Sequence, residues 1–484
     1  MFQRRSLLLA WSAFILVVFG LFNSCATHRV QRQTGAYLAK GTWTVSAPLF
    51  VRVLRVLGTD DGDISRYQAY SRAMLGQSYQ SYYIRSLDEW MKDTDAFDNG
   101  KDPDDPEQSP PVTPSRALTP YKDYLVEYPP GFFLFALPPT LLTGDKGLDR
   151  YSFWFGTLMG VLLLSSLWLN IQVAKRVAPQ LPSDRLVRFT AACLLVLGTI
   201  SLRRYDAALS FSLSLLLFGC VTQRPILAGA ALALGIVTKG MPILVAPLVV
   251  FYFLSMKRFR DLALATASGV LVGLLVGLPF ALAAGRHLFD MFSYHGMRPL
   301  QVESTFAALL VLSHALFGTK LAIAHTYGSM NIVGTGEPLL RVFASILPLL
   351  SLLGVWLWSF VSFRRAPDQS ARDRALTLSI CLVLVGQMTL GKVFSPQYLT
   401  WLIPIGMLAS LIQDQAGRWL LFATMALTFF IFPISYHLSL AGTMHPLFGS
   451  VLLVRNLCLL AWAVRLLLPS RSVVAMSIPS AEAA

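Results

Sequence analysis

The chain is 484 residues long, 55% hydrophobic and only 14% charged, with a mean hydropathy of +0.57. Soluble domains carry roughly a quarter charged residues, so this composition excludes a water-soluble globular fold. The net charge of +14 does not imply nucleic-acid binding, because the Lys and Arg side chains fall in short loops between apolar runs, where positive charge sets membrane orientation.

A helix needs about 20 apolar residues to cross a bilayer core, and stretches such as 152–174, 262–285 and 342–363 meet that requirement. The predicted fold is therefore an all-α polytopic membrane protein of about 12 transmembrane helices, with a range of about 10 to 13. Taken in order, Arg4 and Arg5 open the first transmembrane segment, 1–24, ahead of its apolar run from about Leu7 to Ser24. Cys25 follows it, but Phe22-Asn23-Ser24 lacks the small residues that lipoprotein processing favours. A long extracytoplasmic loop spans 25–130, with an acidic, proline-rich insert at 92–120. The insert has the composition of a calcium loop without its ligand spacing, and reads as solvated chain.

The multi-helix domain covers 131–468. Its first run, 131–142, is broken by Pro138 and Pro139 and is expected to dip into the bilayer without crossing it. Basic loops around Arg176, Arg224, Arg258 and Arg364 are assigned to the cytoplasm. This leaves a second sizeable outer stretch at 286–338, one predicted pass at 398–412, and a cytoplasmic tail at 469–484. The cysteines form no CxxC pair, and four lie within apolar segments, as small buried hydrophobes do.

The informative polar residues all fall on the predicted outer side. Asp61 and Asp63 stand in the first outer loop, and a partly desolvated carboxylate at a membrane surface suits general-base work on a hydroxyl. Arg203, Arg204, Lys239, Arg298 and Lys392 each sit at or near the outer end of an apolar segment. Charges beside hydrocarbon are costly and mark functional sites, although any one of them could simply flank a helix end. Together they suit an anionic ligand such as a phosphate at a lipid headgroup. Neither a Walker loop nor a GxGxxG strand-helix unit is present to hold a soluble nucleotide.

An ordered set of short motifs runs through the chain. It comprises Asp63-Ile64-Ser65-Arg66-Tyr67, Gly76-Gln77-Ser78-Tyr79, Tyr128-Pro129-Pro130, Arg204-Tyr205-Asp206, Thr238-Lys239-Gly240-Met241-Pro242, the run from Tyr294 through His295, Arg298, Gln301 and Glu303 to Ser304, and Lys392-Val393-Phe394-Ser395-Pro396-Gln397-Tyr398. In this order they resemble the glycosyltransferases of family 87, within the GT-C superfamily of membrane transferases that includes polyprenol-phosphate-mannose-dependent mannosyltransferases. The resemblance implies a GT-C-like fold and inverting transfer of a sugar, mannose by analogy, from a polyprenyl-phosphate donor to a hydroxyl of a cell-envelope glycolipid or glycan.

It also implies Asp63 as the base, with Asp61 as its nearest substitute, and Arg204, Lys239, Arg298 and Lys392 as ligands of the donor phosphate. Tyr67, Tyr128, Asp206, His295, Gln301, Glu303, Gln397 and Tyr398 are the remaining expected substrate-binding residues. No cofactor or metal site is expected, and dependence on a divalent ion stays open. The expected setting is the inner (cytoplasmic) membrane, with the site facing the extracytoplasmic side. The expected partners are the lipid-linked donor, a lipid or glycan acceptor and the surrounding lipids, and nucleic acid is excluded. Two rivals stand beside this reading. A transporter or flippase for an anionic lipid or solute would line a path to both sides with these charges. A scaffold would use the acidic insert to bind a partner or calcium.

Overall fold

The computed structural model describes residues 62–91, 111–144, 147–413, 416–434 and 446–468. The first predicted helix, Asp61, the 92–110 part of the acidic insert and the tail lie outside these residues. Among those described, five helices are long and apolar enough to cross a membrane: Leu148–Val177, Phe259–Met297, Glu337–Arg365, Gln369–Leu390 and Pro446–Leu467. Six shorter apolar helices of 10–17 residues accompany them.

Their burial separates an inner from an outer layer. Against protein, 78% of the most apolar window of Gln369–Leu390 is covered, but only 6% of Phe259–Met297 and 17% of Glu337–Arg365. The exposed large hydrophobic side chains of the last two are mostly Leu, Val, Ile and Phe, a surface that only lipid can solvate favourably. Close helix contact within the bundle rests on small residues. At Gly229, on the helix Pro225–Lys239, an added Cβ would lie 1.8 Å from the carbonyl oxygen of Ala265 on the helix Phe259–Ala284. That pair of helices can therefore meet only without a side chain there.

Proline-broken segments behave according to their local chemistry. The run expected to dip forms a short helix, Phe133–Thr143, that accommodates both Pro138 and Pro139. At 1.5 Å per residue its 11 residues span roughly 16 Å, about half of a hydrocarbon core. The pass predicted at 398–412 is instead two pieces, a 3-10 turn at Pro396–Leu402 and a helix at Ile405–Gln413. The break falls at Ile403, held extended at φ −102° and ψ 124°, because a residue before proline avoids the helical region.

One face of the bundle carries the polar elements. The helix Gly62–Met74 lies there, followed by β1 (Tyr79–Gln80), a short helix Leu87–Met91 and β2 (Pro111–Val112), which pairs antiparallel with β1. The 286–338 stretch, read from sequence as a loop, is folded. It contains the helices Asp290–Met297 and Thr305–Phe317 and a three-stranded sheet. In that sheet β5 (Ser329–Gly334) lies between β3 (Leu300–Gln301) and β4 (Leu321–Thr326), all antiparallel. The β4–β5 hairpin turns through Tyr327 and Gly328, both at positive φ (54° and 58°), the geometry of a tight two-residue hairpin. The Tyr327 N–H donates to the Trp90 carbonyl (3.2 Å), tying the hairpin tip to the first polar segment.

Candidate active site

A cavity of about 480 Å³ opens where these polar elements meet the ends of the apolar helices. Asp63 enters it from the first turn of Gly62–Met74. Arg66, one helical turn on, pairs with one Asp63 oxygen, and Arg204 Nε lies 2.6 Å from the other. The Asp63 side chain is only 14% exposed. Burial by itself disfavours the carboxylate, but Arg204 and Arg66, with Lys239 beyond them, outweigh it and hold Asp63 at about 2, below its usual 3.8.

The next cation is fixed by the neighbouring helices. Lys239 ends Pro225–Lys239 and Asp206 begins Asp206–Val221. The Lys239 ammonium donates to Asp206 Oδ1 at 2.6 Å, and the Trp401 indole N–H donates to the same oxygen. Three aromatic rings surround the ammonium, Tyr205 at 4.4 Å and Tyr398 and Trp401 each at 5.4 Å from their centroids. Tyr398 and Trp401 stack at 4.2 Å. The 3-10 turn that holds them exists because the chain breaks before Pro404.

On the far side of Arg66 from Asp63, Glu127 accepts from Tyr70 Oη at 2.6 Å and lies 2.9 Å from Arg66 Nη1. His295 Nε2 sits 2.9 Å from the Glu127 carbonyl oxygen. Arg298, Gln301 and Glu303 follow on the same segment and also line the cavity. Gln301 is held by Lys392, whose carbonyl accepts from its backbone N–H at 3.0 Å. Gln397 accepts from Ser395 Oγ at 2.7 Å. In all, five cations (Arg66, Arg203, Arg204, Lys239 and Arg298) face four carboxylates (Asp63, Glu127, Asp206 and Glu303), leaving an excess of one positive charge.

Residues 125–396 match the sequence model of glycosyltransferase family 87, more than half of the chain. The chain belongs to glycosyltransferase family 87. A comparison with curated proteins finds no match. Among solved structures, ArnT from Cupriavidus metallidurans, crystallised bound to undecaprenyl phosphate, is similar at 14% identity, with 95% of this chain and 76% of that chain covered and a TM-score of 0.43.

In this family 87 chain, the tertiary structure gathers most of the residues singled out in the sequence. Asp63, Arg204, Lys239, Arg298, Tyr67, Tyr128, Asp206, His295, Gln301, Glu303, Gln397 and Tyr398 all line the one cavity. Lys392 is the expected phosphate ligand that does not line it. Its ammonium donates to the Gly296 carbonyl at 2.8 Å, while burial and the nearby Arg341 and Arg298 push its pKa down. Tyr67 reaches the cavity as part of a packed aromatic group with Tyr128, Phe132, Phe155 and Tyr205, so protein already surrounds its ring. Among the described residues no group of three His, Cys, Asp or Glu side chains could hold a metal ion.

Several contributors had no assigned role in the sequence. Arg66 and Glu127 sit beside the central carboxylate; Glu127 stood among the first outer loop's carboxylates suited to general-base work, and for Arg66 its nearness to Asp63 in the motif was the available signal. Trp90 lines the cavity from the short helix Leu87–Met91, and no spacing pointed to it. Arg455 is fully buried in Pro446–Leu467, donates to the Glu303 carbonyl at 2.6 Å and lies 3.9 Å from the Phe394 ring centroid. It braces two segments that wall the site. A lone arginine inside an apolar run was the legible sign of such a role.

Proposed function

We propose that this protein transfers a sugar from a polyprenyl-phosphate donor to a hydroxyl of a cell-envelope glycolipid or glycan, with inversion, at the extracytoplasmic face of the inner membrane. Mannose is the sugar favoured by the family resemblance. The observation that carries the reading is one carboxylate, Asp63, held between cations at the edge of an apolar bundle in a family 87 chain. A phosphodiester donor carries one negative charge, which the cavity's single excess positive charge balances. A donor already anchored in the bilayer also needs no nucleotide site, in keeping with a sequence that lacks one.

In the proposed step the acceptor oxygen attacks the anomeric carbon from the face opposite the phosphate. The carbon–oxygen bond to phosphate breaks, and its electron pair leaves on the polyprenyl phosphate. Asp63 takes the acceptor proton. Arg204, Lys239 and Arg298 meet the charge that grows on the leaving phosphate, the kind of preorganised stabilisation that dominates such transfers. Phosphate arriving at Arg204 also withdraws positive charge from Asp63, which raises the carboxylate's proton affinity when a base is needed. Asp206 and Trp401 keep Lys239 in place.

The test is incubation of membranes containing the protein with radiolabelled polyprenyl-phosphate sugars, followed by identification of the labelled product. Label should move to a glycolipid or glycan with the wild type and stay on the donor with Asp63→Asn. Equal transfer by the two proteins sinks the proposal.

A further inference from the structure

Both terminal nitrogens of Arg66 are engaged, while its Nε has no hydrogen-bond partner among the described residues. Asp63 takes one of its nitrogens and Glu127 Oε1 lies 2.9 Å from the other. The Trp90 ring centroid is 5.9 Å away. At Gly328, the hairpin tip comes so close that an added Cβ would sit 2.9 Å from Arg66 Nη1. Glu127 is itself fixed, 5% exposed, with Tyr70 Oη donating to it at 2.6 Å. A guanidinium is the preferred partner of phosphate, and Arg66 lines the same cavity as Arg204, Lys239 and Arg298. The arrangement nevertheless commits Arg66 to two carboxylates.

We infer that Glu127 is a positioning residue that acts through Arg66: it reserves that guanidinium for Asp63 and keeps it from joining the phosphate ligands. The inference rests on the proposed donor chemistry and adds a reason for the fourth carboxylate. The donor phosphodiester has one negative charge, whereas the released polyprenyl phosphate is a monoester whose second ionisation falls near pH 6, so it approaches two charges at neutral pH. A cavity with one excess positive charge matches the donor. Without Glu127 the excess would be two, a match for the product. Glu127 therefore lets the leaving phosphate depart, and it keeps Arg66 against the base throughout the cycle. An inert structural glutamate would make neither difference.

Binding of two soluble probes to the full-length protein in detergent separates these possibilities. Farnesyl phosphate stands in for the product and farnesyl methyl phosphate, with a single charge, for the donor linkage. At pH 7.5 Glu127→Gln should raise the preference for the monoester over the diester at least tenfold relative to wild type, and Glu127→Asp should return it to within threefold. In turnover, Glu127→Gln should lower kcat and donor KM together, a pattern that partial unfolding does not produce. An unchanged probe preference in Glu127→Gln, or a Glu127→Asp protein that behaves like Glu127→Gln, overturns the inference. If Glu127→Gln does not fold, Arg66→Gln, which removes the positive charge that Glu127 offsets, must lower the preference for the monoester instead, and no shift overturns it equally. If the predicted shift is seen in Glu127→Gln but the wild type moves no sugar, the transferase reading fails while discrimination by Glu127 between singly and doubly charged phosphates stands.

Discussion

Asp63 and Asp373 are carboxylates buried near opposite ends of one helical bundle. Asp63 is met by two guanidiniums and opens into a cavity. Asp373, 3% exposed, accepts from Tyr252 Oη at 2.6 Å and from Gln369 Nε2 at 2.7 Å. Gln223 Nε2 adds a bond to Tyr252 Oη at 3.0 Å, and none of these residues lines the cavity. The two clusters are about one short helix apart, since Asp206–Val221 has Asp206 at the site and ends just before Gln223. At 1.5 Å per residue that is roughly 24 Å. A buried acid is therefore not by itself a sign of chemistry. Neutral donors make the hydrogen bonds to Asp373, with Arg372 and Arg176 nearby, and join helices there, whereas two guanidiniums contact Asp63 directly at the wall of a cavity with room for a further anion.

The contrast can be tested by matched substitutions, and the largest effect is expected at Asp63, the proposed base. Asp63→Asn should reduce kcat by about 10³-fold, within the span of general-base catalysis, while Asp373→Asn changes it less than about threefold, a bound below any general-base effect. Both are measured as label transferred per mole of folded protein after size exclusion. Equal losses would erase the distinction between the two ends. Next come the cations proposed to meet the donor phosphate: Arg204→Gln and Lys239→Gln should each lower donor kcat/KM by about 10² to 10³-fold, as loss of one preorganised charge does elsewhere. Lys392→Gln should cost less than tenfold, because its ammonium is spent on the Gly296 carbonyl.

A subtler effect concerns pH. The folded Asp63 pKa is depressed, so its ion pairs stabilise the protein above the unfolded value of 3.8 and lose that contribution as pH falls toward about 2. In the wild type, protonation of Asp63 should leave no acid limb in kcat/KM above pH 5. Arg66→Gln removes one cation from the carboxylate, so its pKa rises and an acid limb moves upward in the pH profile. A profile identical to wild type would show that Arg66 does not govern the base. The smallest change belongs to the other end. Tyr252→Phe removes the hydroxyl that donates to Asp373 and accepts from Gln223 and Gln369 and should cost about 1–3 kcal/mol of stability, seen as a lower Tm with transfer per folded molecule unchanged.

The residues differ in how visible they were before folding. Asp63 and Arg66 are three apart on one helix, where side chains at that spacing are neighbours, so half of the base's setting could be read directly. Arg204, Lys239 and Arg298 were recognisable because charge at the end of an apolar run is costly. Lys392 satisfied the same rule yet points to a backbone carbonyl, since position at a helix end does not specify the direction of a flexible side chain. Trp90 and the Tyr327-Gly328 turn carried no such mark. Trp90 comes from a short helix and the turn from a hairpin, each inside a stretch whose hydropathy resembles that of any extramembrane segment.

Composition and periodicity alone determined that the chain lives in a bilayer, because too few charges and too many long apolar runs leave no aqueous alternative. Motif order identified the family, and with it the main charged residues of the site. Only the tertiary structure decided which charges neutralise which. Ion pairing between Asp63 and Arg204, or between Lys239 and Asp206, depends on helix ends meeting within a few ångströms across long sequence separations. That distance is set by how closely the helices pack, not by the spacing of residues along the chain.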